Sequence, residues 1–208
     1  MTAQRSTGHG STGHGSDADL RETVIGSRLI HRGRVGDYRI DTVRLADGRE
    51  SSREILGHPG AVAILALDPH DRVLLVRQWR AAAGRALLEI PAGTLDITDP
   101  VTRTIEDPAL AAPRELEEET GYRAATWRKL GAFWTVPGFA SELMHLYLAT
   151  GLQPAVDGRL GPDEDEQLEL TRLPWPEAVR AVEDGTICDA KSIVGLFWLA
   201  RLKAAGDA

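Results

Sequence analysis

Between Arg114 and Gly121 the chain reads Arg-Glu-Leu-Glu-Glu-Glu-Thr-Gly, four glutamates in five positions beside one arginine. On a helix, carboxylates three and four residues apart lie side by side and repel, so such a cluster costs stability unless a cation binds there. At 100° per residue, Glu115, Glu118 and Glu119 share one sector about 100° wide, while Leu116 points toward a core and Glu117 toward solvent. Oxygen donors converging on one face suit Mg²⁺ or Mn²⁺, whereas zinc would call for His or Cys. An ordinary charged, solvent-facing helix is the competing reading. Against it, Arg114 can orient a neighbouring carboxylate and Gly121 can close the helix in a left-handed cap.

A second acidic stretch, Gly161 to Leu170 (GPDEDEQLEL), is either a solvated turn or a source of a free carboxylate. The second option has chemical value, because a glutamate bound to a cation is a poor proton acceptor. The single cysteine, Cys188, has no histidine near it in sequence and is expected to serve packing.

Strands and helices must hold these groups in place. From Val24 to Glu54 the chain alternates, turns at Ala46-Asp47-Gly48 and resumes, as an antiparallel pair or meander does. Ala61 to Leu67 is a continuous apolar run, followed by a turn at Asp68 to Asp71 and a second strand, RVLLVRQW; together they predict a buried hairpin. Further strands are predicted at Leu87 to Ile90, Trp127 to Trp134 and Leu143 to Ala149. Helices are predicted around Leu110 to Thr120, Trp175 to Asp184 and Asp189 to Ala204, the last with Asp189 as N-cap. Strands mixed with a few helices in this order point to an α/β sandwich rather than a regular βαβ array.

The 208 residues suit one domain with a small appendage, and 42% hydrophobic with 26% charged residues is a globular balance. A net charge of −7 argues against general affinity for nucleic acid or an anionic membrane, so an anionic substrate would need a metal or local arginines. One cysteine excludes an internal disulfide framework. With no apolar run of membrane-spanning length and no apolar signal core, a cytoplasmic protein is expected. Residues 1–17 contain STGHG twice and read as a low-complexity tail.

Glu106, seven residues, and then Arg114-Glu115-Leu116-x-Glu118-Glu119-x-Gly121-Tyr122 resemble the Nudix box, G-x5-E-x7-R-E-U-x-E-E-x-G-U with U apolar, preceded here by LLEIPAG (Leu87 to Gly93). DTVRLADGRESSREILGHPGAVAIL, RVLLVRQWR, VPGFASELMHLYLA, PDEDEQLEL and VEDGTICDAKSI extend the similarity to the ADP-ribose pyrophosphatase branch of Nudix hydrolases, from about Val24 to Leu199. The resemblance implies an α/β/α sandwich with a mixed sheet over residues 58–208, and N-terminal antiparallel strands over 18–57 that serve a homodimer. It implies metal-dependent hydrolysis of a nucleoside diphosphate sugar, ADP-ribose giving AMP and ribose 5-phosphate, with GDP-mannose as the main alternative. A non-catalytic nucleotide sensor is the remaining alternative, but it would be expected to have lost box glutamates that this chain keeps.

By the same resemblance Glu115, Glu119 and the carbonyl of Ala92 hold Mg²⁺ or Mn²⁺, and Glu118 assists. Glu164 activates water, with Glu166 as runner-up or additional ligand. Arg53 and Arg80 contact adenine or phosphates, and Glu142 shapes the terminal ribose pocket. The chain departs from the pattern twice. Twelve residues separate Gly93 from Glu106 where the pattern has five, which predicts a longer loop, and Pro113 stands just before the box arginine. The helix therefore either starts at Pro113 or starts after Asp107-Pro108 and carries the proline inside.

Overall fold

The computed structural model describes residues 20–99, 101–156, 161 and 167–207. Glu164, Glu166 and the repeat-bearing segment 1–17 lie outside the described residues.

Strands β1 (Thr23–Arg32), β2 (Asp37–Arg44) and β3 (Glu50–Gly57) form the antiparallel meander predicted from the alternation. The central strand β4 (Ala61–Ala66) is buried at every residue. Its side chains alternate between two cores: Ala61, Ala63 and Leu65 join one cluster, Val62, Ile64 and Ala66 the other. That explains why the sequence shows a solid apolar run rather than a period of two.

β5 (Arg72–Arg80) follows β4 through a tight turn, yet the expected hairpin does not form. Only Leu67 bridges to Val73; beyond it the two strands part into different sheets. β4 pairs in parallel with β11 (Leu143–Pro154) and antiparallel with β7 (Ala92–Thr94), and β11 carries β10 (Tyr122–Trp134) outside it. β5 pairs with β6 (Arg85–Glu89) and β12 (Glu169–Pro174). Both partners of β5 compete for the edges that a hairpin would have used, which local sequence does not reveal.

Helix α1 (Pro108–Thr120) covers one core with Ala111, Ala112 and Leu116. Helices α2 (Trp175–Glu183) and α3 (Ala190–Ala205) cover the other with Ala178, Ala181, Leu196, Leu199 and Leu202. Helices on both faces of a mixed β layer make the α/β/α sandwich. Asp189 caps α3 by accepting from the Ser192 amide at 3.1 Å.

The long loop before α1 folds into a small hairpin, β8 (Ile97–Asp99) with β9 (Thr104–Ile105). Asp107 then caps α1, accepting from the Ala109 amide at 2.9 Å, with Pro108 at the first turn and Pro113 inside the helix. At Gly121 the backbone turns left-handed (φ 71°), and its amide closes on the carbonyl of Glu117.

Candidate active site

The site forms where the chain crosses between the two sheets. β6 ends at Glu89 in one sheet and β7 begins at Ala92 in the other, so Glu89-Ile90-Pro91-Ala92-Gly93 bridges the split between β4 and β5. The glutamate face of α1 lies against this bridge. The Ala92 amide donates to Glu119 Oε2 at 3.0 Å. A Cβ added at Gly93 would overlap the carboxylate of Glu115, so only glycine lets that side chain lie on the strand.

Arg114 organises the remaining carboxylates. Its guanidinium meets Glu106 at 2.8 Å, Glu118 at 2.8 Å and Glu115 at 2.9 Å. The hydrogen bond to Glu106, aided by the Glu115 and Glu118 charges, raises the affinity of Arg114 for its proton despite partial burial. In return the bond from Arg114 holds Glu106 below the usual carboxylate range. Glu117 departs from expectation. It is buried, not solvated, because the cap at Gly121 turns β10 back over α1 and brings Arg123 onto it in a two-bond pair of 2.6 and 2.7 Å.

Among the described residues, no three His, Cys, Asp or Glu side chains already stand gathered as a metal site. Arg114 stands among the carboxylates instead and supplies the positive charge they need. The donor set nevertheless fits a hard divalent ion, since every side chain in it is an oxygen donor.

Two cavities flank Ala92-Gly93-Thr94. One, of about 420 Å³, is lined by Arg80, Leu87, Glu89, Glu142, Met144 and Lys191 among others. Here Arg80 makes a bidentate pair with Glu89, and Lys191 Nζ meets both Glu89 at 2.8 Å and Asp189 at 2.9 Å. Glu89 is almost wholly enclosed; burial alone would raise its pKa, but the bonds from Arg80 and Lys191 outweigh it and lower it. Sequence reading passed over Glu89 and Lys191. The signal was present in Glu89, a lone charge within the apolar run LLEIP.

Glu142 accepts a hydrogen bond from the Thr135 hydroxyl, and one of its oxygens lies 3.6 Å from Nε2 of His58. The Gly60 amide donates to His58 Nδ1 at 3.0 Å, so the neutral ring carries its proton on the nitrogen facing Glu142. Burial lowers the pKa of this histidine, against the pull of Glu142.

The other cavity, of about 670 Å³, is lined by Glu115, Glu118 and Arg114 on one side and by Arg32, Arg34 and Arg103 on the other. Arg53 lines neither cavity; its Nε donates to Glu22 at 2.9 Å on the outer meander. Cys188, expected in packing, is exposed, and Arg85 donates to its Sγ at 3.0 Å.

Comparison with known proteins sets this geometry in a lineage. The methanol dehydrogenase activator of Bacillus methanolicus is 39% identical over 180 residues, covering 86% of this chain and 93% of its own length. The ADP-ribose pyrophosphatase of Bacillus subtilis (strain 168) is 39% identical over 186 residues, covering 89% of this chain and 96% of its own. The crystal structure of an ADP compounds hydrolase shares the fold, with a TM-score of 0.75 at 24% identity over 91% of this chain and 98% of that one. A family model described as NUDIX domain matches residues 57–193, a span that holds the bridge, α1 and every residue lining the smaller cavity. The chain belongs to the NUDIX family.

Proposed function

We propose that the protein hydrolyses the pyrophosphate of ADP-ribose to AMP and ribose 5-phosphate, using Mg²⁺ or Mn²⁺. The observation that carries this reading is the pair of cavities that share Ala92, Gly93 and Thr94, the strand against which Glu115 and Glu119 of α1 lie. A molecule with two bulky halves joined by a diphosphate matches such a site. The extent of similarity to a protein named ADP-ribose pyrophosphatase supports the choice of substrate.

Glu115, Glu119 and the Ala92 carbonyl would hold the cation, which when bound neutralises the diphosphate and makes a coordinated water more acidic. Glu118, steadied by Arg114, assists. Arg80 and Glu142 line one cavity, where Arg80 would meet the adenine or phosphates and Glu142 the hydroxyls of the terminal ribose. Glu164, or Glu166 in its place, takes the proton from the attacking water. The new P–O bond forms as the bridging P–O bond breaks, and the leaving phosphate oxygen carries away the electron pair.

Homodimerisation through residues 18–57 accompanies this reading, with residues 58–208 as the hydrolase domain. Val24, Leu29 and Val35 leave 57%, 49% and 61% of their surface exposed on β1 and the loop after it, apolar surface that a second copy would cover. Arg53 stands on this same unit and would serve a partner's site.

Product analysis over a panel of nucleotide sugars with Mg²⁺ and with Mn²⁺ tests the function. AMP and ribose 5-phosphate in equal amounts from ADP-ribose are expected. Faster turnover of GDP-mannose, or undiminished turnover in excess chelator, overturns the respective part.

A further inference from the structure

His58 is an enclosed, titratable group that the hydrolytic reaction leaves unused: only 5% of its side-chain surface is exposed, and it lines neither cavity. Its place is fixed by the backbone around it. Leu56 donates its amide to the Phe139 carbonyl at 2.8 Å, Ser141 returns its amide to the Leu56 carbonyl at 3.0 Å, and the His58 amide donates to Ser141 Oγ at 2.8 Å. These bonds tie the end of β3 to residues 139–141, the segment that leads directly into Glu142.

The turn after His58 sets its ring. Pro59 favours an extended backbone at the residue before it. Gly60 follows at φ 107°, a conformation that other residues rarely adopt, and its amide turns back to Nδ1 of His58 at 3.0 Å. With Nδ1 accepting, the proton of the neutral ring lies on Nε2, 3.6 Å from Oε1 of Glu142. At that distance the pair is an electrostatic contact rather than a hydrogen bond. The Thr135 hydroxyl donates to the other oxygen, Oε2. The terminal torsion of a glutamate is soft, so one hydrogen bond leaves the plane of its carboxylate free to turn, and a second positive group at the opposite oxygen holds it. Glu142 itself keeps 25% of its side-chain surface exposed and lines the smaller cavity.

We propose that His58 is a positioning residue for recognition of the distal sugar: with Thr135 it fixes the Glu142 carboxylate so that its remaining lone pairs meet sugar hydroxyls in the smaller cavity. This rests on the assignment of Glu142 to the terminal ribose. His58 touches neither the diphosphate nor the α1 carboxylates in this arrangement, so it acts on binding of the sugar and not on the chemical step.

Steady-state kinetics on the full chain with Mg²⁺ test this at pH 8, where the ring, its pKa lowered by burial, is neutral. ADP-ribose is compared with the methyl ester of ADP, the same nucleoside diphosphate ending in no sugar, read by its KM or by its inhibition constant as a competitor. H58F keeps a ring and removes the donor. Its KM for ADP-ribose should rise about three- to tenfold, the effect of one poorly made bond to a charged group, while kcat and the constant for the methyl ester stay close to wild type. H58Q carries an amide N–H to the reach of Nε2 and should recover most of the loss. In an E142A chain H58F should add nothing. Should H58F not fold, H58N takes its place with the same expectation, because it can accept from Gly60 but is too short to reach Glu142. An unchanged KM for ADP-ribose, an equal rise for both compounds, or a rise that persists in E142A overturns the proposal. If E142A weakens ADP-ribose alone while H58F does not, only the role of His58 falls. If E142A affects neither compound, the ribose assignment falls and takes the proposal with it.

Discussion

The amide of Ala92 donates to Oε2 of Glu119 at 3.0 Å, so the strand and helix that make the site are tied through a side chain assigned to the cation. One carboxylate therefore has two duties, a hydrogen bond to the fold and a negative charge for the metal, and a glutamine can perform only the first.

For that reason E119Q should fold normally while losing turnover. The amide oxygen still accepts from Ala92, and Tm should stay within about 4 °C of wild type, a change of about 1 kcal/mol for a chain of this size. ADP-ribose hydrolysis should fall about 10²-fold or more, with weaker Mn²⁺ binding by electron paramagnetic resonance. A variant that keeps wild-type turnover would remove Glu119 from the metal site.

At Gly93 a single methyl group should be enough to disable the enzyme. In G93A the new Cβ overlaps the Glu115 carboxylate, which must leave the strand. The overlapping atoms are the far end of a flexible side chain, so stability should change little while Mn²⁺ affinity falls in parallel with turnover. Unchanged metal affinity would show that Glu115 binds elsewhere.

The proton acceptor is tested on the acidic loop. E164Q should lower kcat by about 10² to 10⁴, the range for general acid–base groups, while KM and Mn²⁺ affinity stay close to wild type. E166Q is the control. Loss with E166Q alone moves the role to Glu166, and two variants within a few fold of wild type remove it from the loop.

Glu89 makes stability depend on acid. Its pKa is lowered in the folded chain, so the stabilisation from Arg80 and Lys191 is complete above the ordinary carboxylate value of about 4.3 and fades as pH falls through the folded value. E89Q leaves both cations facing a neutral group and should cost about 2–4 kcal/mol at pH 7. In urea titrations the gap between wild type and E89Q should hold from pH 7 to about 5 and narrow below about 4. A gap that does not depend on pH would mean that Glu89 acts through packing and not through its charge.

Much of this site was legible because its determinants are local. The sector shared by Glu115, Glu118 and Glu119 follows from helical geometry, and Leu116 is indeed buried beneath it. Asp107 and Gly121 bound the helix where cap chemistry places them. What escaped depends on distant partners. Glu117 reads as solvated until Arg123 is folded back on it, and β4 with β5 read as a hairpin until β11 and β12 claim their edges. The insertion was visible as seven surplus residues, but neither its hairpin pairing nor its meeting with Asp37 is encoded within it.

The crossing from Glu89 to Ala92 works as a ruler. Glu89 fronts the smaller cavity and Ala92 borders both, and only Ile90 and Pro91 stand between them. The spacing between the two halves of the site is thus set by covalent bonds, one of them to a proline ring, rather than by side-chain packing that loosens with heat or substitution. Repacking of either core would sooner cost the protein its stability than its measure of the substrate.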